Sequence, residues 1–375
     1  MHRRRLLTST VVAFAAPAIA RAQTVLKSAK TTYRLVTLTR GLEQPWGMAF
    51  LPDGRLLITE RPGRLRLFAN GQLYPRSLGG LPKIIANGQG GLLDICLHPD
   101  FARNQVLYLS YAGPASGASA TMVARAELAE GGLRNVTTVF TGTPTSGGLH
   151  FGSRIAFDRA GLMYVTAGER YQMKRAQDLK DLAGKVVRLK DDGSIPADNP
   201  FVGQPDKRPD ARPEIFSWGH RNPQGLAMHP ETGRMWLAEH GPKGGDELNL
   251  LKAGANYGWP LATHGIDYNG SIITPNKSLP GMEDPVRFWV PSISPSGLCF
   301  YTGDQFPAWK GSAFTGALSN YALFRIELDG ERWRSEERLI VDQLPYIRDV
   351  RPGPDGFIYL ITHTDEGGLY RLEPA

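Results

Sequence analysis

A chain of 375 residues carrying 43 glycines and 28 prolines is too rich in turn formers for a helical protein and suits many short strands. Its formal charge of +7 drops to about +3 once four arginines of a cleavable leader (Arg3, Arg4, Arg5 and Arg21) are set aside, which implies no nucleic-acid partner. With two cysteines and no Cys-x-x-Cys-His motif, a covalently attached haem within the chain is excluded.

The leader comes first. Met1–Arg5 is basic, Leu6–Ile19 is largely apolar, and Ala18-Ile19-Ala20 and Ala20-Arg21-Ala22 both offer a small-x-small cleavage pattern. Residues 1–22 are therefore expected to be a signal peptide, and His2–Leu7 also fits a twin-arginine signal. Residues 23–375 are expected to form one domain, periplasmic or secreted, since no later run approaches the roughly 18 apolar residues of a membrane span.

A repeat then runs through the chain. Each copy is an apolar run, a turn of Pro, Asp or Gly, and a second apolar run, which predicts two antiparallel strands. The copies start with Trp46–Phe50 and Arg55–Glu60, then Gly91–Asp100 and Val106–Leu109, then Ser153–Asp158 and Gly161–Val165. They continue with Gly225–Pro230 and Arg234–Leu237, Gly297–Phe300 and Ser312–Gly316, and Asp349–Gly356 and Phe357–Ile361. Six copies spaced for four-stranded units predict an all-β fold, a six-bladed β-propeller of antiparallel blades. A sandwich is the competing architecture, but it has no need of six similar units. Tyr33–Leu38 and Gly368–Leu372 are expected to share a blade and so remove two sheet edges. Arg170–Asp210 and Asn256–Pro291 read as long loops over a binding face. Cys96 and Cys299 occupy the same position of the second and fifth copies, across the ring from each other, and are expected to be separate thiols.

Unusual polar residues gather in three places. Asn87-Gly88-Gln89-Gly90-Gly91 is one, and Gly148-Leu149-His150-Phe151-Gly152 with Gly168-Glu169-Arg170 is another. The densest runs from Ser217-Trp218-Gly219-His220-Arg221-Asn222-Pro223-Gln224-Gly225, through Glu239-His240-Gly241-Pro242 and Gly245-Asp246-Glu247, to Asn256-Tyr257-Gly258-Trp259-Pro260. Taken singly, each has a plain structural reading: a loop cap for His150, an ion pair for Arg221, a solvated turn for Asp246 and Glu247. Position changes that reading. Gln89, His150 and Arg221 each stand just before the first strand of a copy, so a propeller brings them to one face around its channel.

These motifs, with Arg348-Asp349-Val350, resemble the soluble aldose sugar dehydrogenases of the glucose and sorbosone dehydrogenase family, from about Tyr33 to Leu372. The resemblance implies oxidation of aldose sugars to lactones with pyrroloquinoline quinone (PQQ) held by calcium, and a separate electron acceptor. It implies His150 as general base, Glu169 as its acidic partner and Gln89 as a sugar contact. It places Arg221, Asn222, Gln224 and Arg348 against the cofactor. The carbonyls of Gly241 and Pro242 would hold its calcium; Glu247, Tyr257 and Asp267, joined by Glu283, would hold a structural one. Two positions depart from the family: Ser319 stands where a lysine is usual, and Tyr346 where a basic residue is usual. They are the best evidence for one alternative, a catalytically silent sugar- or protein-binding propeller. A calcium-dependent lactonase-type hydrolase is the other, but it would place several acids and amides around one metal where this sequence offers a base, an arginine and carbonyl ligands.

Overall fold

The computed structural model describes residues 24–203 and 210–375; the leader expected at residues 1–22 lies outside them. Six antiparallel sheets form a six-bladed β-propeller. Blade 1 is Pro45–Phe50, Leu56–Glu60, Arg64–Ala69 and Gln72–Leu73; blade 2 is Leu92–Leu97, Val106–Ala115, Ala118–Ala129 and Gly132–Thr141. Blade 3 is Ile155–Phe157, Met163–Ala167, Lys185–Leu189 and Ile215–Trp218; blade 4 is Pro223–Met228, Met235–Glu239, Asp246–Leu250 and Arg287–Trp289. Blade 5 is Pro295–Phe300, Ala313–Ala317, Leu323–Asp329 and Arg332–Leu339. Blade 6 joins Ile347–Pro352, Ile358–Thr362 and Gly367–Pro374 to Thr32–Leu42 from the start of the described chain, with Val25–Lys27 as a fifth strand.

All six predicted strand pairs are present, and Tyr33–Thr37 pairs with Tyr370–Pro374 as expected. The ring is closed: each first strand packs on the first strand of the next blade, including blade 6 on blade 1. Both faces of a blade are therefore covered, and second strands such as Leu56–Glu60 and Met163–Ala167 are buried at every residue. Six apolar clusters fill the six blade interfaces. Hydroxyls stitch neighbouring blades: Thr59 Oγ1 donates to Leu93 O (2.5 Å), Ser110 Oγ to Ser153 O (2.6 Å) and Thr166 Oγ1 to Pro223 O (2.9 Å). Each of the two presumed long loops contains a blade strand, Lys185–Leu189 in one and Arg287–Trp289 in the other. Cys96 and Cys299 are free thiols, and burial pushes both up to about 12.

One repeat position carries Gly47, Asp94, Arg154, Gly225, Gly297 and Asp349 in turn around the axis. Arg154 of blade 3 is buried there, its Nη1 at 3.0 Å from Asp94 Oδ1 and 3.2 Å from Asp349 Oδ1. Its Nε donates to Gln224 O (2.8 Å), its Nη2 to Arg348 O (3.0 Å), and its guanidinium stacks 4.1 Å over Trp46. Arg351 balances the second negative charge, reaching Asp94 at 3.3 Å and Asp349 at 3.1 Å. Glycine at the other three positions makes room, because a Cβ on Gly47 would lie 2.7 Å from Asp94 Oδ1, and one on Gly297 2.7 Å from Asp349 Oδ1.

Removing one partner of a buried ion cluster strands the others without compensation. Arg154→Met is expected to lower the unfolding free energy by about 3–5 kcal/mol. Arg55→Ala, at the exposed pair with Asp53, should change it by under about 1 kcal/mol. Urea denaturation of both variants checks the contrast.

Candidate active site

The mouth of the channel is built from the loops that enter blades 2, 3 and 4. In blade 3, His150 (φ 50°) and Ser153 (φ 86°) take the left-handed region, which non-glycine residues enter only when the surroundings enforce it. Buried Arg170 is the enforcing group. Its fork donates to Leu149 O (3.0 Å), Gly147 O (2.8 Å), Ser119 O (3.0 Å) and Ser119 Oγ (3.1 Å), with the guanidinium 3.8 Å over the Phe151 ring. Burial lowers Arg170 to about 10, with Arg175 adding to the shift and the Glu169 carboxylate opposing it. The blade 2 loop is tied to the same turn: His150 N donates to Gln89 Oε1 (2.9 Å) and Gln89 N to Gly148 O (2.6 Å). Gly88 (φ 59°) permits this approach, since a Cβ there would lie 2.4 Å from Gly148 O.

His150 Nδ1 donates to Glu169 Oε1 at 2.8 Å, and both side chains are buried. Glu169 is itself fixed, its Oε2 accepting Gln172 N (2.6 Å) and its own N donating to Arg221 O (2.9 Å). That leaves Nε2 of His150 as the ring nitrogen without a hydrogen bond among the described residues. Burial holds His150 below its ordinary value; the Glu169 hydrogen bond opposes this, and Arg221 and Arg170 reinforce it. The imidazole is thus neutral at pH 7 and able to accept a proton at Nε2.

The blade 4 loop supplies a second buried histidine–carboxylate pair. His220 Nδ1 donates to Glu239 Oε1 (2.9 Å), its Nε2 accepts from Ser217 Oγ (2.9 Å), and Glu239 Oε2 accepts Arg221 N (2.8 Å). Held this way, Arg221 directs Nη1 to Gly241 O (2.6 Å) and His240 O (3.2 Å), while its Nε has no partner. Asn222 Oδ1 accepts Gly152 N (3.1 Å), and its Nδ2 is also without a partner. From blade 6, Arg348 Nη1 donates to Gln224 Oε1 (2.5 Å) and its Nε is a third orphan. Burial pushes Arg348 down to about 9, with Arg154 and Arg61 adding to the shift.

Buried donors without acceptors are uncommon in folded proteins and mark a place prepared for a ligand. A cavity of about 130 Å³ lies between Gln89, Gln224 and Arg348, with Trp46, His240 and His363 completing its wall. These donors and cations fit a group rich in carboxylate and carbonyl oxygens, as PQQ is. A smaller cavity beside it is lined by Gly241, Glu239 and Glu247. Burial, reinforced by Glu239, holds the Glu247 carboxyl well above the usual range. A hard cation accepting carbonyl and carboxylate oxygens would relieve that repulsion, so the donor set fits calcium.

The structure brings Gln89, His150, Glu169, Arg221, Asn222, Gln224 and Arg348 to the mouth, with Gly241, Pro242 and Glu247 next to them. Tyr257 lies below, stacked on His220 at 4.7 Å, with its hydroxyl donating to Leu250 O. Asp267 does not bond to Glu247; it sits in a separate turn and accepts Tyr268 N (2.6 Å). Glu283 pairs with Lys252 at 2.5 Å. Ser319 Oγ donates to Ser292 O (3.1 Å), and exposed Tyr346 packs edge-on against Tyr321. Sequence reasoning missed His240, His363, Trp46 and Arg61 on the cavity wall. His240 at least stands inside a recognised motif, whereas His363 follows a strand with no motif around it.

His363 gives the site a pH signature. Burial lowers it to about 3, with Arg348 and Arg61 adding to the effect. The unfolded chain therefore binds a proton that the folded chain rejects between about pH 6.5 and pH 3, so stability present above pH 6.5 is lost on acidification. The unfolding free energy should fall by about 1.4 kcal/mol per pH unit from this group alone. His363→Gln should flatten that slope in unfolding curves taken from pH 7 to pH 4.

Comparison with known proteins shows the family. The family model for glucose/sorbosone dehydrogenase matches residues 42–371. The aldose sugar dehydrogenase YliI of Escherichia coli (strain K12) is 44% identical over 357 residues, 93% of this chain and 95% of that protein. The apo crystal structure of the soluble aldose sugar dehydrogenase from Escherichia coli superposes with a TM-score of 0.87 at 42% identity, covering 92% of this chain and all of that one. A PQQ-bound aldose sugar dehydrogenase from Streptomyces coelicolor superposes with a TM-score of 0.77 at 30% identity, covering 91% and 98% of the two chains. The six-bladed ring, its mouth residues and these matches make the chain a member of the glucose/sorbosone dehydrogenase family.

Proposed function

We propose that this protein is an exported aldose dehydrogenase that converts the anomeric carbon of a sugar to a lactone and passes the electrons to a separate carrier. The observation that carries the reading is the buried His150, locked through Nδ1 by Glu169 and left without a partner at Nε2, in a channel mouth that also holds the orphaned donors of Arg221, Asn222 and Arg348. The Escherichia coli and Streptomyces relatives, named for this activity, support it. Export rests on the sequence of residues 1–22.

His150 Nε2 takes the proton of the anomeric hydroxyl, and Glu169 steadies the imidazolium that forms. PQQ, when bound and polarised by calcium, supplies the acceptor for the hydride leaving that carbon. Gln89 orients the sugar while its side-chain oxygen holds the His150 turn. Arg221 and Arg348, both buried, stand as fixed cations where negative charge grows. The carbonyls of Gly241 and Pro242 would hold the cofactor's calcium. Glu247, with the Tyr257 carbonyl and Asp267, would hold a second ion, which requires the Asp267 turn to close on it.

His150→Ala is expected to cut dye-linked glucose oxidation by about 10²- to 10⁴-fold while PQQ affinity at fixed calcium is kept. Wild-type turnover in that variant would make His150 structural and remove the mechanism. The uncharged Ser319 and Tyr346 keep the silent-propeller reading in play, and one titration separates the two. Ser319→Lys and Tyr346→Arg should each tighten PQQ binding by about five- to thirty-fold; if neither these variants nor the wild type binds PQQ, the dehydrogenase reading is lost.

A further inference from the structure

The cavity between Gln89, Gln224 and Arg348 holds fewer fixed cations than a bound PQQ has charges. PQQ is a tricarboxylate, and among the described residues lining that cavity only Arg61 and Arg348 are permanently charged. Arg221 lines the smaller cavity next to it. Ser319 turns its hydroxyl to Ser292 O and Ser294 Oγ (3.1 and 3.0 Å), and the exposed Tyr346 ring packs against Tyr321. We infer that His363 is a further cofactor-binding residue: it takes up a proton from solvent as a carboxylate of PQQ docks on its Nε2, and so supplies a cation that Ser319 and Tyr346 do not. This rests on the dehydrogenase reading above and deepens it.

The ring is placed for that role. His363 follows the strand Ile358–Thr362 of blade 6, and its N donates to Tyr346 O (2.9 Å), so it sits against one of the two positions where a basic residue is missing. Its Nδ1 meets Pro45 O of blade 1 at 3.3 Å. A carbonyl can only accept, so Nδ1 carries the hydrogen and Nε2 keeps a lone pair. Nε2 has no hydrogen bond among the described residues, although the side chain lines the cavity. A lone pair repels a carboxylate, whereas a proton on the same nitrogen makes a charge-assisted hydrogen bond to it.

The surrounding charges explain why that proton arrives with the ligand. Arg348 of blade 6 and Arg61 of blade 1 both act on the ring, and Asp365 and Glu43 act in turn on Arg61. His240 of blade 4 lines the same cavity, its Nε2 donating to Pro295 O (2.9 Å). Burial, then Arg348 and Arg61, hold His363 down at about 3, so the fold alone leaves it neutral. An ionised carboxylate in the cavity opposes the field of the arginines and favours the imidazolium. Arg61 does not fill the gap by direct contact. Its Nε and Nη2 go to Gln44 Oε1, and its Nη1 to the carbonyls of Gly88 and Gly90. That leaves Arg348 Nε and His363 Nε2 as the unpartnered nitrogens of these three side chains for an anion.

The test is calorimetric titration of PQQ into the calcium-saturated, cofactor-free mature protein, in PIPES and in Bis-Tris, whose ionisation heats differ. At about pH 6.5 the buffer dependence of the heat should report uptake of about one proton per PQQ bound. Kd should then rise by up to about tenfold per pH unit between about pH 6 and pH 8. His363→Gln should abolish the uptake, flatten the pH dependence and weaken binding at about pH 6 by about tenfold or more. His363→Arg, a permanent cation, should bind without proton uptake and keep its affinity up to about pH 8. Thermal unfolding shows that each variant is folded. Wild-type binding without proton uptake, or uptake retained in folded His363→Gln, overturns the assignment and leaves the dehydrogenase reading standing. No PQQ binding by the wild type at any pH removes that reading and the assignment with it.

Discussion

A single guanidinium on the propeller axis, that of Arg154, ties its own blade to four others. It belongs to blade 3 and touches Trp46 of blade 1, Asp94 of blade 2, the Gln224 carbonyl of blade 4, and Asp349 and the Arg348 carbonyl of blade 6. Two buried aspartates and two arginines balance in charge, and the flanking glycines let them approach. A buried ion cluster of this kind gains little over an apolar core in stability, but it accepts only one register of the blades around it. The apolar interfaces close the ring; the cluster fixes how its blades are rotated and slid against one another.

That register decides the chemistry at the mouth. The carbonyls of Gln224 and Arg348 are bonded to Arg154, while their side chains bond to each other beside the inner cavity. His150 lies four residues before Arg154, and the left-handed Ser153 between them turns the chain from axis to mouth. The histidine is then fixed from three directions, by Arg170 on the carbonyls beside it, by Gln89 on its amide and by Glu169 on its ring. A proton acceptor so restrained loses little freedom on reaching the transition state.

Most of the fold was legible because each blade buries both faces of its first two strands and so repeats the same apolar signature. The third and fourth strands were harder. Lys185 opens a fully buried strand that reads as polar, and it is tolerated only because its ammonium donates to the carbonyls of Arg175, Ala176 and Ala183. Arg287–Trp289 is three residues long and too short to show a period. The axial cluster was hidden for a related reason, since charges at core positions read as surface until the six copies are aligned on Gly47, Asp94, Arg154, Gly225, Gly297 and Asp349. In the site, Gln89, His150 and Arg221 could be singled out because each stands just before the first strand of a copy, whereas Glu169 was singled out by the family resemblance. Glu239 was quoted only as part of a motif, and its partnership with His220 depends on a strand pairing that spacing alone does not reveal. The wall residue His363 comes from the far end of the chain, and its place opposite Gln89 exists only once blade 6 closes the ring.

The central claim is that His150 and its neighbours serve oxidation at the anomeric carbon. It is tested most directly by anaerobic mixing of the PQQ- and calcium-loaded protein with glucose bearing hydrogen or deuterium at C1, following the cofactor's absorbance in a single turnover. The account predicts rapid reduction that deuterium slows. No reduction, or reduction at equal rates with sugar in saturating amounts, would contradict it.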